Sequence, residues 1–254
     1  MASPIDATGP VAAAWTPYCG AGPSPAELIA RWNLDPVVIG LLALGAAGYA
    51  VHRRRGGAGR DLLVAGGLAA LAVSFVSPLC ALSSALFSAR VAHHALLVAV
   101  AAPLLVFGLP KAARLPLGLT TLVHVSTVWL WHAPGPYAWA LSHDAAYWLM
   151  QASLFGSALA FWSSVRTAPA IAAAGALVAT MMLTGLLGAL ITFAGQPLYA
   201  PHLATTYAWS LTPLADQQLA GLIMWAPMAL AYLIAALVLV GRSLADADTA
   251  AARA

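Results

Sequence analysis

The stretch FSARVAHHALLVAVAAPLLVFG, Phe87 to Gly108, decides the fold. From Ala95 onward it is a continuous apolar run, and with its first two turns it is long enough to cross about 30 Å of hydrocarbon as a helix. Yet it begins with Arg90, His93 and His94. At helical spacing Arg90 is three residues from His93 and four from His94, so all three crowd one face. Ionisable groups at this depth are costly unless paired or hydrated, so that face is expected to look into a helix bundle.

The rest of the chain agrees with a membrane protein. Of 254 residues 62% are hydrophobic and 7% charged, and the mean hydropathy is +0.86; a water-soluble globule is excluded by these values. The net charge of +3 rests on eleven Lys and Arg scattered in short loops, which suits membrane orientation and gives no nucleic-acid surface. The first fifteen residues, MASPIDATGPVAAAW, have neither a basic n-region nor an unbroken apolar core, so no cleaved signal is expected.

Apolar runs between charged or Pro/Gly-rich breaks predict an all-α, polytopic bundle of seven transmembrane helices, at about 36–52, 61–77, 88–108, 115–132, 144–163, 169–194 and 213–241. Arg53, Arg54, Arg55, Arg60, Lys111, Arg114, Arg166, Arg242 and Arg253 then share one side, which the positive-inside rule makes cytoplasmic. The N-terminus is expected outside and the C-terminus inside: a 1–35 outer arm, a 36–242 membrane domain and a 243–254 cytoplasmic tail. Aromatic residues such as Trp129, Trp131, Tyr137 and Trp139 gather as an outer belt. AELIARW, Ala26 to Trp32, is a candidate interfacial helix.

Five of the seven histidines, His93, His94, His132, His143 and His202, fall on the outer side. His132 reads equally well as a helix-end imidazole and as a metal ligand, while His143 and His202 read first as loop residues. His124 reads as a helix-to-helix hydrogen-bonding group, and His52 as an interfacial one. Asp216 and Gln217 open the last span behind Thr212 and Pro213, where a carboxylate suits the helix dipole and offers a counter-ion to Arg90. Met181 and Met182 are thioethers of the kind that select copper(I), although methionine is commonly packing filler. Cys19 and Cys80 both lie outside, where an oxidising compartment favours a disulfide; a pair of thiol ligands for copper is the competing assignment. Walker, GxSxG, HExxH and Rossmann patterns are all missing, so no hydrolase, nucleotide or dehydrogenase chemistry is signalled.

Three stretches, FSARVAHHALLVAVAAPLLVFGLP, WLWHAPGPYAWALSH followed by LFGSALAFWSS, and LADQQLAGLIMW, resemble in order and topology the CtaG family of cytochrome c oxidase assembly factors. The resemblance implies a seven-helix, non-enzymatic protein of the bacterial inner membrane. It would help to mature a heme–copper oxidase by handling or delivering copper on the periplasmic face, with oxidase subunits as partners. The family pattern starts the third span with a histidine pair at i and i+4. Here His94 matches the second position and Arg90 replaces the first, and Tyr147, Met150 and Gln151 stand where the fifth span would carry a His-x-x-Glu-His pattern. A guanidinium offers no lone pair to a metal. Two expectations follow: a metal site shifted to His93, His94, His132, His143 and the methionines, or a metal-free scaffold or accessory subunit. A b-type cytochrome, with His94 facing His124 or His132, and a metal permease are the remaining alternatives.

Overall fold

The computed structural model describes residues 17–110 and 115–251. Among the described residues it is all-α, without a strand. Helix α1 (Pro36–Arg54) starts at Pro36 because Asp35 caps it, accepting from the Val37 amide at 2.7 Å. Helices α2 (Asp61–Phe75) and α3 (Leu79–Ala85) form one rod bent by 44°, since Pro78 cannot continue the ladder of α2. Helix α4 (Phe87–Ala95), a π-helical segment (Leu96–Ala101) and α5 (Ala102–Gly108) run on as a single 22-residue helix. Pro103 lacks an amide hydrogen and its ring crowds the preceding turn, which accounts for the widening. Trp162 Nε1 donates to the Val98 carbonyl in that widened turn at 2.9 Å.

Four further stretches complete the bundle. They are α6 (Leu117–His132) with the short α7 (Pro134–Ala140), α8 (Asp144–Thr167), α9 (Ala170–Phe193), and α10 (Pro213–Ile223) leading through a π-helical segment (Met224–Met228) into α11 (Ala229–Ala251). Pro227 lies inside that second π segment.

By length and composition four helices can cross a membrane, Pro36–Arg54, Phe87–Gly108, Ala170–Phe193 and Pro213–Asp246, and a fifth does if the bent α2–α3 rod is one span. The chain is thus a multi-pass membrane protein. The other two expected spans coincide with α6, which at 16 residues is short, and with α8, which is long but interrupted by polar residues. The expected interfacial helix at Ala26–Trp32 is only a 3-10 turn, Leu28–Ala30. Its continuation is prevented by Arg31, which bends back to the Ala21 carbonyl at 2.9 Å, and by Asn33, whose amide is drawn to Val76 O at 2.9 Å. Lys111, Arg114 and Arg253 of the charge pattern, and residues 1–16 of the arm, lie outside the described residues.

The bundle has two chemically different ends. At one, Arg53 pairs with Asp61 at 2.9 Å, the Arg60 amide meets Gly108 O at 2.9 Å and Arg166 donates to Leu109 O at 2.7 Å. At the other, Cys19 is bonded to Cys80, Thr205 donates to Ala85 O at 2.6 Å and Tyr199 donates to His132 O at 2.7 Å. Between them His124 is fully buried and satisfied on both ring nitrogens, by Ser157 Oγ at 3.1 Å and Tyr232 Oη at 3.2 Å. It is an inter-helix tie.

Helices α9 and α10 cross at glycines. A Cβ at Gly221 would strike Thr192 Oγ1 and lie 2.5 Å from the Gly188 carbonyl, whereas one at Gly118 would meet nothing. Gly221→Ala should therefore cost about 1–3 kcal/mol through a forced separation of the two backbones, visible as a lower melting temperature in detergent. Gly118→Ala should leave it unchanged or raised.

Candidate functional site

The site begins at a chain break in the ladder. Leu86 is extended (φ −125°, ψ 132°), so α4 starts afresh at Phe87 with unsatisfied amides. Asp216 satisfies them: Oδ2 accepts from Phe87 N at 2.7 Å, Oδ1 from Ser88 N at 3.2 Å, and the Ser88 hydroxyl also donates to it. The carboxylate sits in the first turn of α10, itself capped by Thr212 accepting from Ala215 N at 3.1 Å. Beside it Gln217 accepts from Leu198 N at 2.7 Å and donates to Ile191 O at 3.2 Å, fixing the loop after α9.

The expected Asp216–Arg90 ion pair is absent among the described residues, where Arg53–Asp61 is the ion pair formed. Asp216 is committed to the positive end of α4 instead, a neighbour that it reaches with both oxygens. Arg90 is 0% exposed, and none of its three guanidinium nitrogens has a hydrogen-bond partner. Its carbon lies 5.3 Å from the centroid of the Tyr147 ring, a cation–π contact. Burying a guanidinium without a carboxylate partner costs several kcal/mol, which makes this place the candidate site.

Around it the structure gathers imidazoles. His94 Nδ1 faces His132 Nε2 at 3.5 Å, and their rings meet edge to face at 5.2 Å. His132 Nδ1 is 2.7 Å from the Val128 carbonyl, so it carries the proton and Nε2 presents a lone pair. His93 packs 5.8 Å from His94 and edge-on to Phe75 at 5.1 Å, with both nitrogens unpartnered. His94 Nε2 and the whole Gln151 amide are unpartnered as well. Metal–imidazole bonds of about 2.0–2.1 Å to His94 and His132 would subtend roughly 115–120° at the observed separation of 3.5 Å. The distance is compatible with one ion between them; as the rings stand, His94 Nδ1 donates to the His132 Nε2 lone pair. Among the described residues no group of three or more His, Cys, Asp or Glu suited to a metal exists, so a third donor is not supplied by those residue types.

A strap closes the cluster from the disulfide end. Tyr18 stacks on Tyr147 at 4.9 Å and meets Trp148 edge-on at 5.0 Å. Its hydroxyl donates to Asp35; burial first, and then that carboxylate, pushes the Tyr18 phenol up to about 12. Asp35 is correspondingly held below the usual carboxylate range, by Tyr18 and by the Val37 amide. Cys19 Sγ lies 3.6 Å from Tyr147 Oη. Gly20 takes φ 82°, open to glycine at little cost, and Gly22 lies so close to Ala85 that a Cβ would sit 2.9 Å from its Cα. Trp209 Nε1 holds Pro23 O at 3.0 Å.

Of the residues singled out in the sequence, Arg90, His93, His94 and His132 converge, with Asp216 and Gln217 as the braces of the helices that carry them. His143 stands apart, exposed, with Nδ1 2.8 Å from the neighbouring Ser142 hydroxyl. Met182 is 65% exposed and points away from the bundle, while Met181 packs on the apolar core. His202, read as a loop residue, is in a loop but buried; burial pushes it down to about 3, so it is neutral and accepts the Tyr137 hydroxyl at 2.7 Å. Tyr137, Tyr199 and Phe87 were not legible as site residues. Phe87 stacks on Tyr199 at 3.6 Å and lines the cluster with Tyr137 at 5.1 Å. The aromatic enrichment near WHAPGPY was the available signal, and it pointed equally to an interfacial belt.

No curated protein matches this chain. No solved structure matches it either. The family model described as cytochrome c oxidase caa3 assembly factor matches residues 43–117 and 116–246, which include α4, α6, α8 and α10 with all the imidazoles of the cluster. The chain belongs to the cytochrome c oxidase caa3 assembly factor family.

Proposed function

We propose that this chain assists the maturation of a heme–copper cytochrome c oxidase by holding copper(I) in transit on the outer side of a bacterial inner membrane. Family membership supports the assembly role and an oxidase partner, and points to a non-catalytic protein. The observation that carries the copper reading is the opposed His94 Nδ1 and His132 Nε2 at 3.5 Å, with the His132 tautomer set by Val128. Two neutral imidazoles without a carboxylate form a weak, borderline-soft site. A weak site suits cargo that must leave again.

In this reading the chain crosses the membrane seven times, with α6 and α8 as the two less apolar crossings, sheltered by their neighbours. The arginine-bearing end is cytoplasmic by the positive-inside rule, and the disulfide end faces the oxidising side. A second reading, a metal-free scaffold for oxidase subunits, is favoured by Arg90, whose fixed charge stands beside the imidazoles and repels a cation.

Three measurements test these statements. Purified protein loaded with copper(I) under ascorbate should retain metal against a chromogenic chelator. His94→Ala and His132→Ala should each weaken retention by about tenfold or more, with His143→Ala unchanged; equal retention in all four proteins, or none, removes the histidine site. Arg90→His should raise retention above wild type, because it supplies a donor one turn from His94 and removes the positive charge. For orientation, a single cysteine placed at Ser142 in a Cys19→Ser/Cys80→Ser background should react with a membrane-impermeant maleimide in spheroplasts, and one placed at Arg55 should not; the reverse labelling would invert the topology.

A further inference from the structure

We propose that Cys19 and Cys80, once their disulfide is opened, form a second copper(I) site, a two-coordinate bis-thiolate at the mouth of the histidine cluster. It rests on the copper reading of that cluster only for the direction in which metal would move.

Four observations lead there. The sulfurs are joined across a sequence separation of 61 with Cα atoms 5.4 Å apart, so the thiols remain neighbours when reduced. They lie at the cluster's edge, with Cys19 Sγ 3.6 Å from Tyr147 Oη and Arg90 on the face of that same ring at 5.3 Å. Cys80 is fully buried and Asn33 Nδ2 donates to its sulfur at 3.8 Å, a contact that stabilises a thiolate there; Cys19 is half-buried and the more accessible sulfur. Finally, Arg90 has no hydrogen-bonded or ion-paired carboxylate, although a buried guanidinium calls for negative charge.

The chemistry balances as follows. A protein dithiol on the oxidising side attacks Cys19 Sγ as thiolate, the S–S bond breaks, and Cys80 leaves as a thiolate. The donor's second thiol then attacks the mixed disulfide, releasing Cys19 and closing the donor's own disulfide, so two electrons and two protons pass to this chain. Copper(I) displaces both protons and forms two Cu–S bonds. Soft thiolates prefer this ion, and the product carries one negative charge. That charge is what the Arg90 guanidinium, one tyrosine away, lacks in the oxidised protein.

The test uses the full chain in detergent, with copper(I) as the probe. One sample is kept oxidised under ascorbate. Another is reduced by a phosphine and desalted anaerobically. The reduced protein should bind about one more copper(I) per chain than the oxidised one, with sulfur scatterers in its X-ray absorption spectrum. Iodoacetamide applied after reduction should abolish the gain without any mutation, as should Cys19→Ser/Cys80→Ser. The gain should persist in His94→Ala/His132→Ala, which separates this site from the histidine pair: wild-type protein that holds no ascorbate-stage copper but gains copper on reduction would sink the proposed histidine function and leave the thiolate site standing. Equal copper in oxidised and reduced protein, or a gain that survives alkylation, overturns the thiolate site. Within it, Arg90→Gln should weaken the reduction-dependent copper several-fold at low salt, and no change there would remove the guanidinium's part.

Discussion

The carboxylate of Asp216 on the first amides of α4 joins two helices 129 residues apart in the chain and fixes the position of every group on the α4 face. Its effect is partly steric and partly electrostatic. Both oxygens are engaged by Phe87 and Ser88, so the register of α4 against α10 is set within a hydrogen-bond length. The same engagement keeps Asp216 from pairing with Arg90. In water that would matter little; in a bundle wrapped by hydrocarbon the guanidinium must find other company. It finds the face of Tyr147, and through Tyr147 the strap and the disulfide.

The helical architecture was legible because hydrocarbon imposes one solution on a long apolar run. Phe87–Gly108 was read within one residue of its start, Pro36 and Asp144 opened helices at the expected positions, and Pro213 did so behind its Thr212 cap. The family resemblance carried by the same stretches held across the chain. Short elements were not legible. α3 and α7 have seven residues each, too few for periodicity to register against Ala-rich surroundings. The π segments follow from Pro103 and Pro227, whose presence was visible but whose local remedy, a wider turn in place of a kink, depends on what packs beside them.

The cluster was half legible for a similar reason. Arg90, His93 and His94 share a face by spacing alone, which one helix is enough to establish. His132 belongs to them only because α6 ends opposite α4 at the right height, a tertiary fact. Asp216 was given the wrong partner, because a charge list favours ion pairs whereas a helix N-terminus offers several donors at once. His202 and Tyr137 form a buried pair 65 residues apart that no local pattern marks.

The position of Arg90 sets how the cluster can treat a cation. Two neutral imidazoles can take copper(I), but the product would be a second positive charge beside a guanidinium that cannot deprotonate. Coulomb repulsion between two unit charges is about 4 kcal/mol at about 4 Å and an effective dielectric of about 20, and it falls inversely with distance. Binding there would consequently be weak unless an anion accompanies the metal. That penalty favours release over storage, in line with the transit role proposed above.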